Sequence, residues 1–299
     1  MTLDCTQSEE LRQALLGSGS DDLIKFMVDK AIDRSSGGTP AETVEHAERL
    51  GLVTPETKAL TRTGYLLADS LREYSFWLER GRQLPCEGAV PHLSRAYFAG
   101  KKVVEIGCGA GCNLWSLRTV SQDVIGIEPE PLYPLVGAIL CEREGIPAPE
   151  IKLGSAEALP LGDEEFDIAI CITSHQYMDV AAALKEIARI VRPGGEVLLV
   201  GGTLDTYLKV GSRRIRRGSL RAVKPFAVTV ANTIFYGATG RRLISKKGRG
   251  TTAYPIYPTV GYMKRLLQSL GLAPSRPIDR IYPETCFSYR KPLEPLAGP

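Results

Sequence analysis

Three glycines at alternate positions, Glu105-Ile-Gly107-Cys-Gly109-Ala-Gly111-Cys-Asn113, are the most chemically suggestive stretch of this chain. They follow Lys102-Val-Val-Glu-Ile106, which reads as a strand, and precede a segment long enough for a helix. Such a loop lets the backbone approach a ligand closely and turns the amides of the helix amino end toward it. Dinucleotide enzymes use a similar loop, so the glycines alone say little. Two details narrow the reading. The spacing is Gly-x-Gly-x-Gly rather than Gly-x-Gly-x-x-Gly, and an acid, Glu105, stands at the strand end before the glycines. A carboxylate there suits a ligand bearing an ammonium group and repels a pyrophosphate. The residues by themselves point to a nucleoside-type ligand on an α/β fold. Cys108 and Cys112 border the loop, but two thiols without a third or fourth ligand do not make a metal site, and no metal is expected.

The elements that must hold this loop alternate. Short apolar runs, Lys102–Ile106, Asp123–Ile127, Phe166–Cys171 and Glu196–Val200, are separated by Asn113–Val120, Pro131–Glu144 and Val180–Val191, each long enough for a helix. Strand–helix alternation with short loops means parallel strands joined by right-handed crossovers. Ligands in such sheets bind beyond the carboxyl ends of the strands, so the residues just after each run are the ones to watch.

Those residues resemble the motifs of the class I S-adenosylmethionine-dependent methyltransferases, in particular the ubiquinone-type and small-molecule group, over about residues 95–202. Glu105-Ile-Gly-Cys-Gly-Ala-Gly111 resembles the first motif, which holds the methionine part of the cofactor, and Val124-Ile-Gly-Ile-Glu128-Pro129 the second. The resemblance implies that Glu128 accepts hydrogen bonds from both ribose hydroxyls. Gly154-Ser155-Ala156-Glu157-Ala-Leu-Pro160 is similar to the segment that touches adenine, with Ser155 where an aspartate is usual. Phe166–Cys171, running on to His175, resembles the strand end under the transferable methyl, and Arg189 to Gly195 the turn into the fifth strand. The implied cofactor contacts are Glu105, Gly107, Cys108, Gly109, Gly111, Glu128, Pro129, Ser155, Ala156 and Cys171. His175, beside Gln176 and Tyr177, is the candidate base; the other reading makes it a pocket wall. The implied fold is a Rossmann-like seven-stranded sheet, mostly parallel, with an antiparallel last strand.

Two blocks flank that region. Residues 1–84 read as a helical, winged-helix-like module. Helices are expected over Leu11–Leu16 behind Ser8, from Ser20 to about Ile32, and through Leu50 behind a Thr39-Pro40-Ala41-Glu42 capping box. Two short strands around Pro55 and a helix from Tyr65 to about Arg80 complete it. Its third helix carries three glutamates against one arginine, which suits a cover or a dimer contact better than a DNA groove. Residues 85–299 form the methyltransferase domain, with about 85–98 expected across the methionine end of the cofactor. An insertion at about 203–255 reads as a lid. Between Asp205 and Asp279 lie fifteen bases and no acid, so the remainder of a chain of net charge +3 holds twelve more acids than bases.

The lid is expected to have an apolar underside and a basic outside, with Tyr254 and Tyr257 walling an acceptor pocket beside His175 and Tyr177. A helix at Thr259–Leu270 and strands at Ser275–Tyr282 and Thr285–Arg290 should close the fold. The expected activity is transfer of a methyl group from S-adenosylmethionine to oxygen, nitrogen or carbon of a small organic acceptor such as a specialised metabolite. The alternatives are a nucleic-acid methyltransferase using residues 209–249, and a membrane-associated lipid or quinone methyltransferase; a peripheral membrane contact and a homodimer both remain open. The cytoplasm is the expected compartment: the amino-terminal stretch is acidic and polar, and the seven cysteines are odd in number with no Cys-x-x-Cys pair.

Overall fold

A computed structural model describes residues 3–32, 34, 38–85, 87, 94–216, 223–244, 254–281 and 284–293. Four helices come first: α1 (Cys5–Leu16), α2 (Ser20–Ala31), α3 (Ala41–Arg49) and α4 (Arg62–Glu79). The short α5 (Arg95–Phe98) leads into β1 (Val103–Ile106), α6 (Cys112–Leu117), β2 (Val124–Glu128), α7 (Leu132–Glu144) and β3 (Glu150–Leu153). Then come β4 (Phe166–Ile172), α8 (Val180–Ile190), β5 (Val191–Gly201), α9 (Leu204–Arg216) and α10 (Val223–Thr239). The last elements are α11 (Val260–Ser269), β6 (Ala273–Pro274), β7 (Asp279–Ile281) and β8 (Glu284–Arg290).

The sheet runs β3-β2-β1-β4-β5-β8-β6, with β7 also paired to β8. The first five strands are parallel and β8 is antiparallel to β5. Among the described residues the sheet thus has eight strands where seven were expected. β6 and β7 both pair antiparallel with β8, as two pieces of one edge interrupted between Pro274 and Asp279. Pro274 and Pro277 have no N–H to give to a ladder, which explains the break. β3 had no sequence signal because it is a mostly exposed edge strand, Glu-Ile-Lys-Leu, without an apolar run.

The amino-terminal helices differ from expectation at their starts. α1 begins at Cys5 because Asp4 and Gln7 exchange hydrogen bonds in a capping box, so Ser8 lies inside it. α3 has Pro40 rather than Thr39 as its cap residue and begins at Ala41. α4 begins at Arg62 behind Thr61, whose hydroxyl accepts from the Gly64 amide. Gly64 therefore starts the helix rather than stopping the chain before it: a side chain there would strike the Leu52 carbonyl, 1.8 Å from where a Cβ would lie. The two expected strands reduce to one bridge, Val53 with Leu60.

These helices share one core with α6 and α7. Leu15, Met27, Leu67, Leu71 and Trp77 pack in a single cluster with Trp115, Val136 and Leu140. Trp77 meets Trp115 edge to face, 5.0 Å between ring centres, and donates its indole N–H to Ser116 at 2.8 Å. Arg143 of α7 donates to the Leu15 carbonyl and to Ser20, tying the α1–α2 turn to the sheet layer. The helical block is thereby seated against the helix that leaves the glycine loop.

Candidate cofactor site

Gly107, Gly109 and Gly111 all have positive φ (70°, 56° and 85°), the region where a side chain is strained. At Gly107 a Cβ would also lie 2.7 Å from the Ser174 side chain, so the loop and the end of β4 leave no room for one. Behind the loop, Gly137 lets α7 approach the backbone; its Cβ would sit 2.1 Å from the Ala110 carbonyl. Cys108 is buried under the loop against Gly126, and burial holds its thiol and that of Cys112 well above the usual range. Both behave as apolar packing.

Three carboxyls surround this loop. Glu128, ending β2, accepts the Gly109 amide at 3.1 Å and the Glu130 amide at 3.0 Å. Glu105 is 1% exposed and accepts from the Asn113 amide at 2.7 Å, while its Oε2 is buried without a partner. The third acid, Glu73, comes from α4 and accepts the Ala110 amide at 3.1 Å. Burial pushes the Glu73 carboxyl up to about 8, with Asp69 and Glu128 adding repulsion against the Ala110 bond and Arg72. Burial likewise raises Glu128 to about 7, against its two amide bonds, and holds Glu105 well above the usual range. Sequence reasoning missed Glu73. The one signal was that Asp69 and Glu73 fall one turn apart on a helix otherwise rich in apolar residues.

The next strand ends give a weaker set. Ser155 is exposed and its hydroxyl donates to Glu157, so it presents mainly backbone, while Ala156 beside it is buried. Pro129 is exposed next to Glu128. Cys171 points into the core, 3.1 Å from the Ser174 hydroxyl, with its thiol raised to about 11 by burial. After β4, Thr173 has φ 52°, unusual for a β-branched residue, and is held there by its amide bond to the Val200 carbonyl (2.7 Å).

His175 is 2% exposed, packed against Gly201, and both ring nitrogens are buried without a partner. Burial lowers it to about 4, with a smaller opposing effect from the Gly202 backbone, so the imidazole is neutral at pH 7.

Tyrosines line the outer side. Tyr177 is 58% exposed and senses Asp69 and Arg72 of α4 as well as Tyr207 of α9. Tyr257 stacks on Tyr207 at 4.3 Å, and Tyr207 stacks on Phe226 of α10. The strap carrying Tyr254 and Tyr257 is anchored by the Ile256 amide to the Gln176 carbonyl, and by Arg242, which donates to the carbonyls of Tyr254 and Met178. Tyr177 and Tyr257 are therefore brought to one face, and Tyr254 helps pin it. Of the segment 85–98, residues 86 and 88–93 lie outside the described residues; Phe98 is buried in the core beside α6.

Residues 104–199 match the family model described as a methyltransferase domain. This stretch is a methyltransferase domain. Over 103 residues the chain is 32% identical to the uncharacterized methyltransferase YcgJ of Bacillus subtilis, covering 34% of this chain and 41% of that one. It is 33% identical over 104 residues to a phthiotriol/phenolphthiotriol dimycocerosates methyltransferase of Mycobacterium leprae, covering 33% and 37%. The chain thus spans less than half the length of these two relatives. Among solved structures, YcgJ of Bacillus subtilis aligns with TM-score 0.41 at 21% identity, over 58% of this chain and 63% of that one.

S-adenosylmethionine is the cofactor expected of a methyltransferase domain, and the residues here fit it. The unpartnered Glu105 Oε2 and the acids Glu73 and Glu128 suit a ligand with a sulfonium and an ammonium group. The three glycines add no side chain of their own to the approach.

Proposed function

We propose that this chain transfers a methyl group from S-adenosylmethionine to an oxygen, nitrogen or carbon atom of a small organic acceptor held against the tyrosine-lined face. The observation that carries the reading is the ring of three carboxyls around the glycine loop, Glu105 and Glu128 buried and Glu73 half-buried. Enclosed acids with raised values have a strong electrostatic reason to take a cationic ligand. Glu128 has lone pairs to spare for the ribose hydroxyls, and Glu73 and Glu105 face the amino acid end. The cofactor supplies a methyl on a sulfonium sulfur, a good leaving group. An acceptor lone pair forms the new bond as the carbon–sulfur pair returns to sulfur, and any acceptor proton passes to solvent or to a neighbouring base.

Positioning and exclusion of water can supply most of the acceleration. Tyr177 and Tyr257 would seat the acceptor, with Tyr254 holding the strap. We assign His175 to the wall behind them, since a buried imidazole that protonates only near pH 4 is a weak base. The amino-terminal helices act as the cover over the glycine loop, a role their shared core with α6 and α7 supports.

Calorimetry with S-adenosylhomocysteine tests the proposal: wild type should bind at micromolar order, with binding lost in Glu128→Ala and Gly107→Val. A well-folded protein that takes up no cofactor product would end it.

A further inference from the structure

The helix α10 is built inside out. Its buried residues are Thr229, Asn232, Thr233 and Tyr236, whereas its exposed face reads Val223, Lys224, Ala227, Ala231, Ile234, Phe235 and Ala238. A surface helix ordinarily buries its apolar stripe and wets its polar one. Here the buried polar groups are satisfied individually. Asn232 exchanges hydrogen bonds with the Ile244 backbone at 2.9 and 2.8 Å, and Thr233 accepts the Tyr257 amide at 3.1 Å. Tyr236 donates to Asp179 at 2.7 Å and accepts the Ala181 amide at 3.1 Å. These bonds fix which side faces out. On α10 the outer side is thus apolar, while the inner one is polar apart from Tyr236 and the half-buried Phe226, which stacks on Tyr207.

The Asn232–Ile244 pair also holds the following chain beside the helix, adding Leu243 (55% exposed) and Ile244 to Ile234 (62% exposed) and Phe235. Exposed Lys224 and Arg241 stand at the two ends of this strip. The whole stretch from residue 206 to 278 contains no acid.

We propose that α10 is a docking face for an anionic lipid bilayer, lying flat in the interface with Ile234, Phe235 and Leu243 inserted and the bases at its rim. An exposed apolar stripe with bases and no acids is the combination an anionic interface recognises. A seventeen-residue helix bearing Asn232 and Lys224 lies on a membrane rather than crossing it, and no described helix is long and apolar enough to cross one. A second copy of the chain fits less well, since a two-fold contact through α10 would oppose two basic rims. Nucleic acid would use the bases but leaves the aliphatic residues without a role. The inference is independent of the methyl-transfer reading.

The test is flotation of the full chain with vesicles of phosphatidylcholine alone or with about 30% phosphatidylglycerol, at low and high salt. The expected result is binding to the anionic vesicles that weakens with salt. An Ile234→Asp/Phe235→Asp double variant should lose at least about ten-fold in binding, and Lys224→Glu/Arg241→Glu should lose the preference for anionic lipid. Circular dichroism and S-adenosylhomocysteine calorimetry on the same preparations check that each variant is folded and separate this proposal from the cofactor reading. Equal or absent binding to both vesicle types, or unchanged binding by the folded aspartate variant, overturns it. So does a concentration-dependent dimer that the aspartate variant abolishes without any vesicle binding.

Discussion

Lowering the pH from 7 to 6 should weaken S-adenosylhomocysteine binding far more than a lone carboxylate contact would. With Glu73 near 8 and Glu128 near 7, the free protein at pH 7 holds a proton on most copies of Glu73 and half of Glu128. A ligand that needs both ionised must expel about 1.4 protons on binding at pH 7. The same linkage makes the affinity at pH 7 about 50-fold higher than at pH 6. This window lies below the usual α-amino range, so the ligand's own ammonium stays largely charged.

In Glu73→Gln only Glu128 remains, and the ratio should fall to about 5-fold. The groups facing Glu73 are Asp69 and Arg72 on its own helix, the Ala110 amide, and Glu128 across the loop; glutamine keeps the bond to Ala110. Calorimetry in buffers of different ionisation enthalpy reads the proton count directly. An affinity independent of pH between 6 and 7, with no proton release, would refute the argument.

The same acids set the stability of the ligand-free protein. Their folded values are raised above the ordinary carboxyl range, so the folded state holds protons the unfolded chain has lost, and stability falls as pH climbs from about 4.5 to about 8. Glu73→Gln should therefore stabilise the ligand-free protein at pH 8 by about 2 kcal/mol, once partial solvent access is allowed for, and so raise its thermal midpoint. His175 runs the other way: its lowered value costs stability as pH falls from about 6.5 to about 4, so His175→Leu should flatten the acid limb of a melting curve series relative to wild type. Gly137→Val should destabilise by about 1–3 kcal/mol and weaken cofactor binding, because its Cβ collides with the Ala110 carbonyl; denaturant unfolding measures the first and calorimetry the second. Tyr236→Phe removes one donor and leaves the Ala181 amide unpaired, a loss of about 1–2 kcal/mol that limited proteolysis between α10 and α11 should detect.

Much of the central sheet was legible because its strands are buried on both faces and read as mostly apolar runs, as Val103–Ile106 does apart from Glu105 and Phe166–Ile172 apart from Asp167. β3 and the split edge of β6 and β7 were hidden because solvent and proline, not hydrophobic pattern, shape them. In the site, the glycine loop and Glu128 could be read because they follow apolar runs and resemble the first two motifs of the family. Glu73 could not be assigned to the loop, since its place depends on how α4 docks, a tertiary fact with no local signature beyond the Asp69 pairing. The orientation of α10 was similarly hidden: its sequence sets a few polar residues among apolar ones, and only the partners of Asn232, Thr233 and Tyr236 decide which side is buried.

The chain has two tryptophans, Trp77 and Trp115, and both sit in the seam where α4 meets the helix leaving the glycine loop. All of the protein's indole emission thus originates four residues from Glu73 on one side and four from Gly111 on the other. A fluorimeter tuned to these two rings would watch that seam tighten or part as ligand arrives, with no dye attached.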